Sequence, residues 1–130
     1  MNLGHFGGEE DHGDGPGGKD WPKEFAAKVM NQKRGELVFA DLGYWEDLQC
    51  QSGSRACRPV IDRLTDALNA TVGTGTVKDR LMFGSDWLML SKEKGWPNYA
   101  RQLFTTIRSI DPGAVQAIFE GNARKLYTTL

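Results

Sequence analysis

Arg80-Leu81-Met82-Phe83-Gly84-Ser85-Asp86-Trp87-Leu88-Met89-Leu90 is the most informative segment of the chain. Leu81 to Phe83 form a short apolar run, the kind that suits a strand buried on both faces. Gly84 allows a tight departure from that strand, and Asp86 stands just beyond it. At the mouth of an α/β fold such a carboxylate can ligate a metal or take a proton; it can equally cap the next turn. Two companion segments give the run its weight: Asn2-Leu3-Gly4-His5-Phe6-Gly7-Gly8 upstream and Phe119-Glu120-Gly121-Asn122-Ala123-Arg124-Lys125-Leu126-Tyr127 downstream.

The flanking sequence alternates in period. Residues 7–19 are crowded with glycine and acid and read as a loop. Asp20-Trp21-Pro22 is a cap-and-start signal for a helix carrying Phe25, Ala26, Val29 and Met30, ended by Gly35. Leu37-Val38-Phe39-Ala40 is a second buried-strand run, and a helix with Val60, Ile61, Leu64, Ala67 and Leu68 on one face comes after it. Gly73 and Gly75 break that helix before the strand Arg80 to Phe83. A polar loop to Trp96-Pro97 then leads to a helix displaying Tyr99, Leu103, Phe104, Ile107 and Ile110. Asp111-Pro112 opens a short helix with Val115, Ile118 and Phe119. Gly121 is expected to stop it, and Asn122 to cap a last turn burying Ala123, Leu126 and Tyr127. The expected fold is α/β, with parallel strands alternating with helices through right-handed crossovers. His5, Asp41 with Tyr44, and Asp86 then all fall just after strand C-terminal ends, where active sites of such folds lie.

Composition narrows the function classes. The 130 residues suffice for one domain, 1–130, but not for a complete (β/α)₈ barrel of ~250 residues. Lys plus Arg total 16 and Asp plus Glu 17, a net charge of −1 that implies no nucleic-acid or anionic-membrane partner. No apolar run approaches the ~20 residues of a membrane span, and no signal-peptide pattern succeeds Met1, so a cytoplasmic protein is expected. Cys50 and Cys57 match neither a redox pair nor a zinc knuckle and are expected as free thiols.

The candidate chemistry centres on Asp86 and His5. A carboxylate beside a divalent metal binds it while accepting a proton from its water. His5, set among Gly4, Gly7 and Gly8, has room for a substrate beside an imidazole that can ligate or carry protons; its bland alternative is a histidine satisfied by a local carbonyl. Asp41 and Tyr44 are candidates to line the mouth, although a loop Asp satisfied by its own backbone is commoner. Trp87 suits a pocket wall better than chemistry. Ser85 lacks a partner histidine in sequence, and His12 with Glu9, Glu10, Asp11 and Asp14 reads as a solvated loop. No His-x-His or His-Glu-x-x-His pair occurs. The segment Gly121-Asn122-Ala123-Arg124 reads as structural, with Arg124 placed to pair with a carboxylate.

Taken in order, Asn2-Leu-Gly-His5-Phe-Gly-Gly, Phe39-Ala-Asp-Leu-Gly-Tyr44, Arg80-Leu-Met-Phe-Gly-Ser-Asp86-Trp and Glu120-Gly-Asn-Ala-Arg-Lys-Leu-Tyr127 resemble the last third of the amidohydrolase superfamily. The nearest branch is the group containing aminocarboxymuconate semialdehyde decarboxylase. The resemblance implies the last three β/α units of a TIM barrel, and a divalent metal, often zinc. It implies Asp86 as metal ligand and base, and His5 as the histidine that polarises metal water or substrate. The implied activity is hydrolysis of amides, esters or lactones, or non-oxidative decarboxylation, of a small-molecule substrate.

The chain lacks the first-strand His-x-His and the fifth-strand His of that pattern. One Asp and one His do not make a four-coordinate site, and three parallel strands cannot close a barrel or cover their own edges. Two expectations compete. In one, the chain supplies Asp86 and His5 to a hydrolase completed by another polypeptide, and is inactive alone. In the other, it is a non-catalytic α/β fragment that covers its edges by oligomerising.

Overall fold

A computed structural model describes residues 2–4, 38–43, 45, 48, 58–72 and 75–128. Strands β1 (Asn2–Leu3), β2 (Phe39–Asp41) and β5 (Leu81–Met82) form one parallel sheet in the order β1-β2-β5. Ala40 pairs with Leu3 on one side and Leu81 on the other, and Asp41 pairs with Met82. The expected parallel sheet is therefore present, although shorter than the apolar runs, because Arg80 belongs to a 3₁₀ turn, Val77–Arg80. A small antiparallel hairpin, β3 (Thr71–Val72) with β4 (Gly75–Thr76), occupies the Gly- and Thr-rich stretch that reads as a break. The expected helix from Asp20, the loop 7–19, His12 and both cysteines lie outside the described residues.

Helix α1 (Arg58–Asn69) forms where Val60, Leu64, Ala67 and Leu68 recur at helical spacing, and all four are fully buried. Helix α3 (Tyr99–Ile110) buries Tyr99, Leu103 and Ile107, each four residues apart. Burying a leucine or isoleucine contributes roughly 1.5–3 kcal/mol, so these stripes dominate where the helices lie. They share one core with Ala40 and Leu81 of the sheet and with Leu42, Trp45 and Ile118. Phe104, at the margin of the α3 stripe, meets Phe119 edge-on at 5.5 Å, and Phe119 stacks on Phe83 at 5.0 Å.

Side chains alternate across a strand, and the second face carries Phe39 and Met82, with the Arg80 guanidinium 5.3 Å from the Phe39 ring. That face is covered by Leu126 of the last helix. The route of the chain there differs from expectation. Gly121 does not end a helix: α4 (Ala114–Gln116) runs into a π-helical turn, Ala117–Gly121, and on into α5 (Asn122–Thr128). Tyr127 is not buried but 72% exposed, and Asn122 is no cap. Its side chain, fully buried, donates from Nδ2 to the carbonyls of Lys78 at 2.9 Å and Leu81 at 2.7 Å.

These contacts close one edge of the sheet. The Met82 carbonyl points to β2 and accepts the Leu42 N–H at 3.0 Å, so Leu81 and Phe83 direct their backbone groups to the opposite edge. There the Leu81 carbonyl meets Asn122, and the Phe83 N–H donates to the Ile118 carbonyl at 2.8 Å. A π turn shifts the helical hydrogen-bond register by a residue, and it is a carbonyl of this turn that takes the strand amide. The expectation of bare edges thus fails at β5, where helical backbone stands in for a neighbouring strand. Glu120 and Arg124 form the expected surface ion pair at 2.7 Å.

Candidate active-site rim

The three parallel strands lie side by side, and the described residues just beyond their C-terminal ends approach one another. After β1 comes Gly4; after β2, Leu42 and Gly43; after β5, Phe83, Gly84, Ser85 and Asp86. The Asp41 carboxylate lies at the centre of this rim. Its Oδ1 accepts the Gly43 N–H at 3.0 Å. A Cβ at Gly84 would fall 2.7 Å from that oxygen and 2.9 Å from the Asp41 Cβ, closer than any side chain tolerates. Gly84 is glycine because Asp41 fills its side-chain space. A Cβ at Gly43 would lie 2.9 Å from the same oxygen and 3.5 Å from both Cβ and N of Asp86, and one at Gly4 would lie 4.0 Å from Asp41 Oδ2.

Asp86 is half-buried and adopts φ 43° and ψ 53°, the one non-glycine among the described residues with positive φ. The left-handed region costs an L-residue about 1–2 kcal/mol, an aspartate less than most, so contacts around Asp86 that favour it have only a small cost to offset. It precedes α2 (Trp87–Leu90), a one-turn helix within the stretch expected to be a polar loop. The capping alternative is half met: the Asp86 carbonyl accepts the N–H groups of Met89 and Leu90, both at 3.0 Å, but its side chain makes no capping bond.

Tyr99 anchors the rim from below. Its hydroxyl, buried within the core, donates to the Leu42 carbonyl at 2.5 Å and accepts the Trp45 N–H at 3.1 Å. The loop leaving β2 is thereby pinned to the first turn of α3. In the sequence Tyr99 reads only as part of an apolar stripe; the missed signal is that a buried tyrosine hydroxyl requires polar partners. On the far side of β5, Lys78 and Asp111 form an ion pair at 2.6 Å. Hydrogen bonding to Asp111 raises the Lys78 pKa above its ordinary value, and the same bond, with the Gly113 N–H, lowers that of Asp111.

The structure therefore brings Asp41 and Asp86 to one rim, beside Gly4. Trp87 comes directly after Asp86 and is 68% exposed, while His5 and Tyr44 lie outside the described residues. Carboxylates at adjacent strand ends can attract a cation or exchange a proton. Among the described residues, however, no group of three or more His, Cys, Asp or Glu gathers, so these residues alone do not fit a four-ligand zinc centre. No described helix is long and apolar enough to cross a membrane.

No curated protein and no solved structure matches the sequence. The family model described as Amidohydrolase matches residues 1–129. With that match over nearly its whole length, the chain belongs to the amidohydrolase family.

Proposed function

We propose that this chain is a single partial amidohydrolase domain that contributes Asp86, and with it His5, to the rim of a metal-dependent site whose other ligands it does not carry. The observation that supports this reading most directly is the convergence of Gly4, Asp41 and Asp86 at the C-terminal ends of three parallel strands. Family members act on small molecules at that end of the sheet, with a divalent metal, often zinc. Asp86 serves as ligand and base; Asp41, Tyr44 and Trp87 line the approach. The reaction class is hydrolysis of an amide, ester or lactone, or non-oxidative decarboxylation, carried out in the cytosol where strands and ligands outside these 130 residues complete the site. These 130 residues by themselves are inactive in this reading.

Zinc titration of the purified chain, followed calorimetrically, tests this. Weak binding that disappears in Asp86→Ala and in His5→Ala is expected. Equal binding by wild type and Asp86→Ala would remove the basis of the reading. A second reading has its own support. The β5 edge is closed by the turn 117–122 and the second sheet face by Leu126, an arrangement suited to a self-contained, non-catalytic α/β fragment.

A further inference from the structure

We infer that Asp41 is the positioning residue of this rim: its side chain, seated in the space left by Gly84 and tied to Gly43, holds Asp86 in its left-handed conformation and so sets where the Asp86 carboxylate projects. The functional importance of that seat rests on the reading of Asp86 given above; the seat itself rests on geometry. Three observations converge. The Asp41 side chain occupies the position a Cβ at Gly84 would need, at 2.7–2.9 Å, so the backbone two residues before Asp86 is pressed against it. Asp41 Oδ1 accepts the Gly43 N–H at 3.0 Å, which fixes the turn leaving β2. That turn in turn abuts Asp86, since a Cβ on Gly43 would meet Asp86 Cβ and N at 3.5 Å. Asp86 is thus confined between the Gly84 backbone on one side and the Gly43 turn on the other, and both are set by Asp41. This accounts for a positive φ at an aspartate whose side chain makes no capping bond.

The seat uses the shape of the Asp41 side chain and the oxygen that accepts the Gly43 N–H. Asparagine keeps both, whereas alanine keeps neither. A metal ligand at position 41 would instead need the charge, so the two roles separate cleanly.

A double-mutant cycle in urea tests the seat on the full chain. Glycine tolerates positive φ without penalty, so Asp86→Gly should lower the unfolding constant about fivefold in the wild-type background. In Asp41→Ala, where position 86 is free to relax, that gain should vanish. Equal gains in both backgrounds would overturn the inference. Should Asp41→Ala not fold, Gly84→Ala decides: its Cβ would fall on the Asp41 side chain, so it should be strongly destabilised, and a Gly84→Ala variant as stable as wild type would overturn the inference. Zinc titration gives the readout that a packing role alone would not move. Asp41→Asn should bind as wild type does, while Asp41→Ala should lose binding as Asp86→Ala does. Equal loss in Asp41→Asn and Asp41→Ala would make Asp41 a ligand and sink the positioning role. If the wild-type chain binds no zinc, the functional reading falls, and the urea cycle still decides the seat.

Discussion

Tyr99 and Asn122 show how single polar atoms hold the frame of this rim. The Tyr99 hydroxyl satisfies one buried carbonyl and one buried amide, those of Leu42 and Trp45. Tyr99→Phe removes both bonds and, at about 0.5–1.5 kcal/mol each, should cost about 1–3 kcal/mol in urea-induced unfolding. Asn122 donates to two carbonyls at once. Asn122→Ala should cost about 2–6 kcal/mol, because each of the two carbonyls that lose this donor carries about 1–3 kcal/mol. Asn122→Asp should be worse at neutral pH, since a carboxylate cannot donate to either carbonyl. The folded state would hold the introduced carboxyl protonated, with its pKa raised. It therefore binds more protons folded than unfolded, so stability should increase as pH falls, which urea midpoints at pH 4 and pH 7 would show. Neither role is legible in the sequence. Tyr99 sits in register with Leu103 and Ile107 and reads as plain core; Asn122 comes after a glycine and reads as a cap. Both are misleading because their partners are 41 to 57 residues away, beyond any local pattern.

What the local pattern does encode is the elements themselves. The apolar stripes of α1 and α3 and the buried runs at β2 and β5 are readable, because burying one face or both faces leaves a period in the sequence. The hairpin β3–β4 and the one-turn helix α2 are not, each being too short to show a period. The continuous segment 114–128 splits at Gly121 in a sequence reading, because a glycine there signals a stop unless a wider turn accommodates it. That segment predicts a specific exchange behaviour. An edge-strand amide open to water exchanges fast, but the Phe83 N–H is bonded to Ile118. It should be protected in hydrogen exchange, and lose that protection in Asn122→Ala. The same region is tied to the start of α4 by Lys78 and Asp111, whose side chains are 32% and 23% exposed. Such a pair contributes about 0.5–1 kcal/mol. The lowered Asp111 pKa makes its share present above the ordinary value of 3.8 and lost as pH falls through the folded value. The raised Lys78 pKa makes its share complete below 10.5 and lost as pH rises through the folded value. The stability difference between wild type and Lys78→Met should thus be flat from about pH 5 to pH 9 and shrink at both ends.

Among the described residues the parallel sheet has three strands, and how its faces are covered bears on both functional readings. In the sheet, Ala40 and Leu81 face the helices α1 and α3, while Phe39 and Met82 face the other way. Alternation puts Asp41 and Gly84 on that second side, so the rim belongs to the face that a closed barrel would turn inward. The covering of that face is slight: Leu126, with Ala123 beside it, packs on Phe39 and Met82. The sequence identifies Leu126 as buried and the rim as a rim, since both derive from periodicity and strand order. It does not show that the helix bearing Leu126 closes the β5 edge as well, because that depends on a turn type with no sequence signature. One substitution separates cover from core. Leu126→Asp removes the apolar lid from Phe39 and Met82 and leaves the α1–α3 core untouched. Loss of a buried leucine should cost about 2–5 kcal/mol in urea unfolding. If the helix is what keeps the sheet from pairing with another chain, the variant should also gain mass in light scattering at concentrations where wild type does not. Such a gain would mean that the face and edge accept other strands once uncovered, as completion of a barrel requires. A destabilised variant whose mass stays equal to wild type would mean that Leu126 contributes packing alone, and that strands are not added on this side.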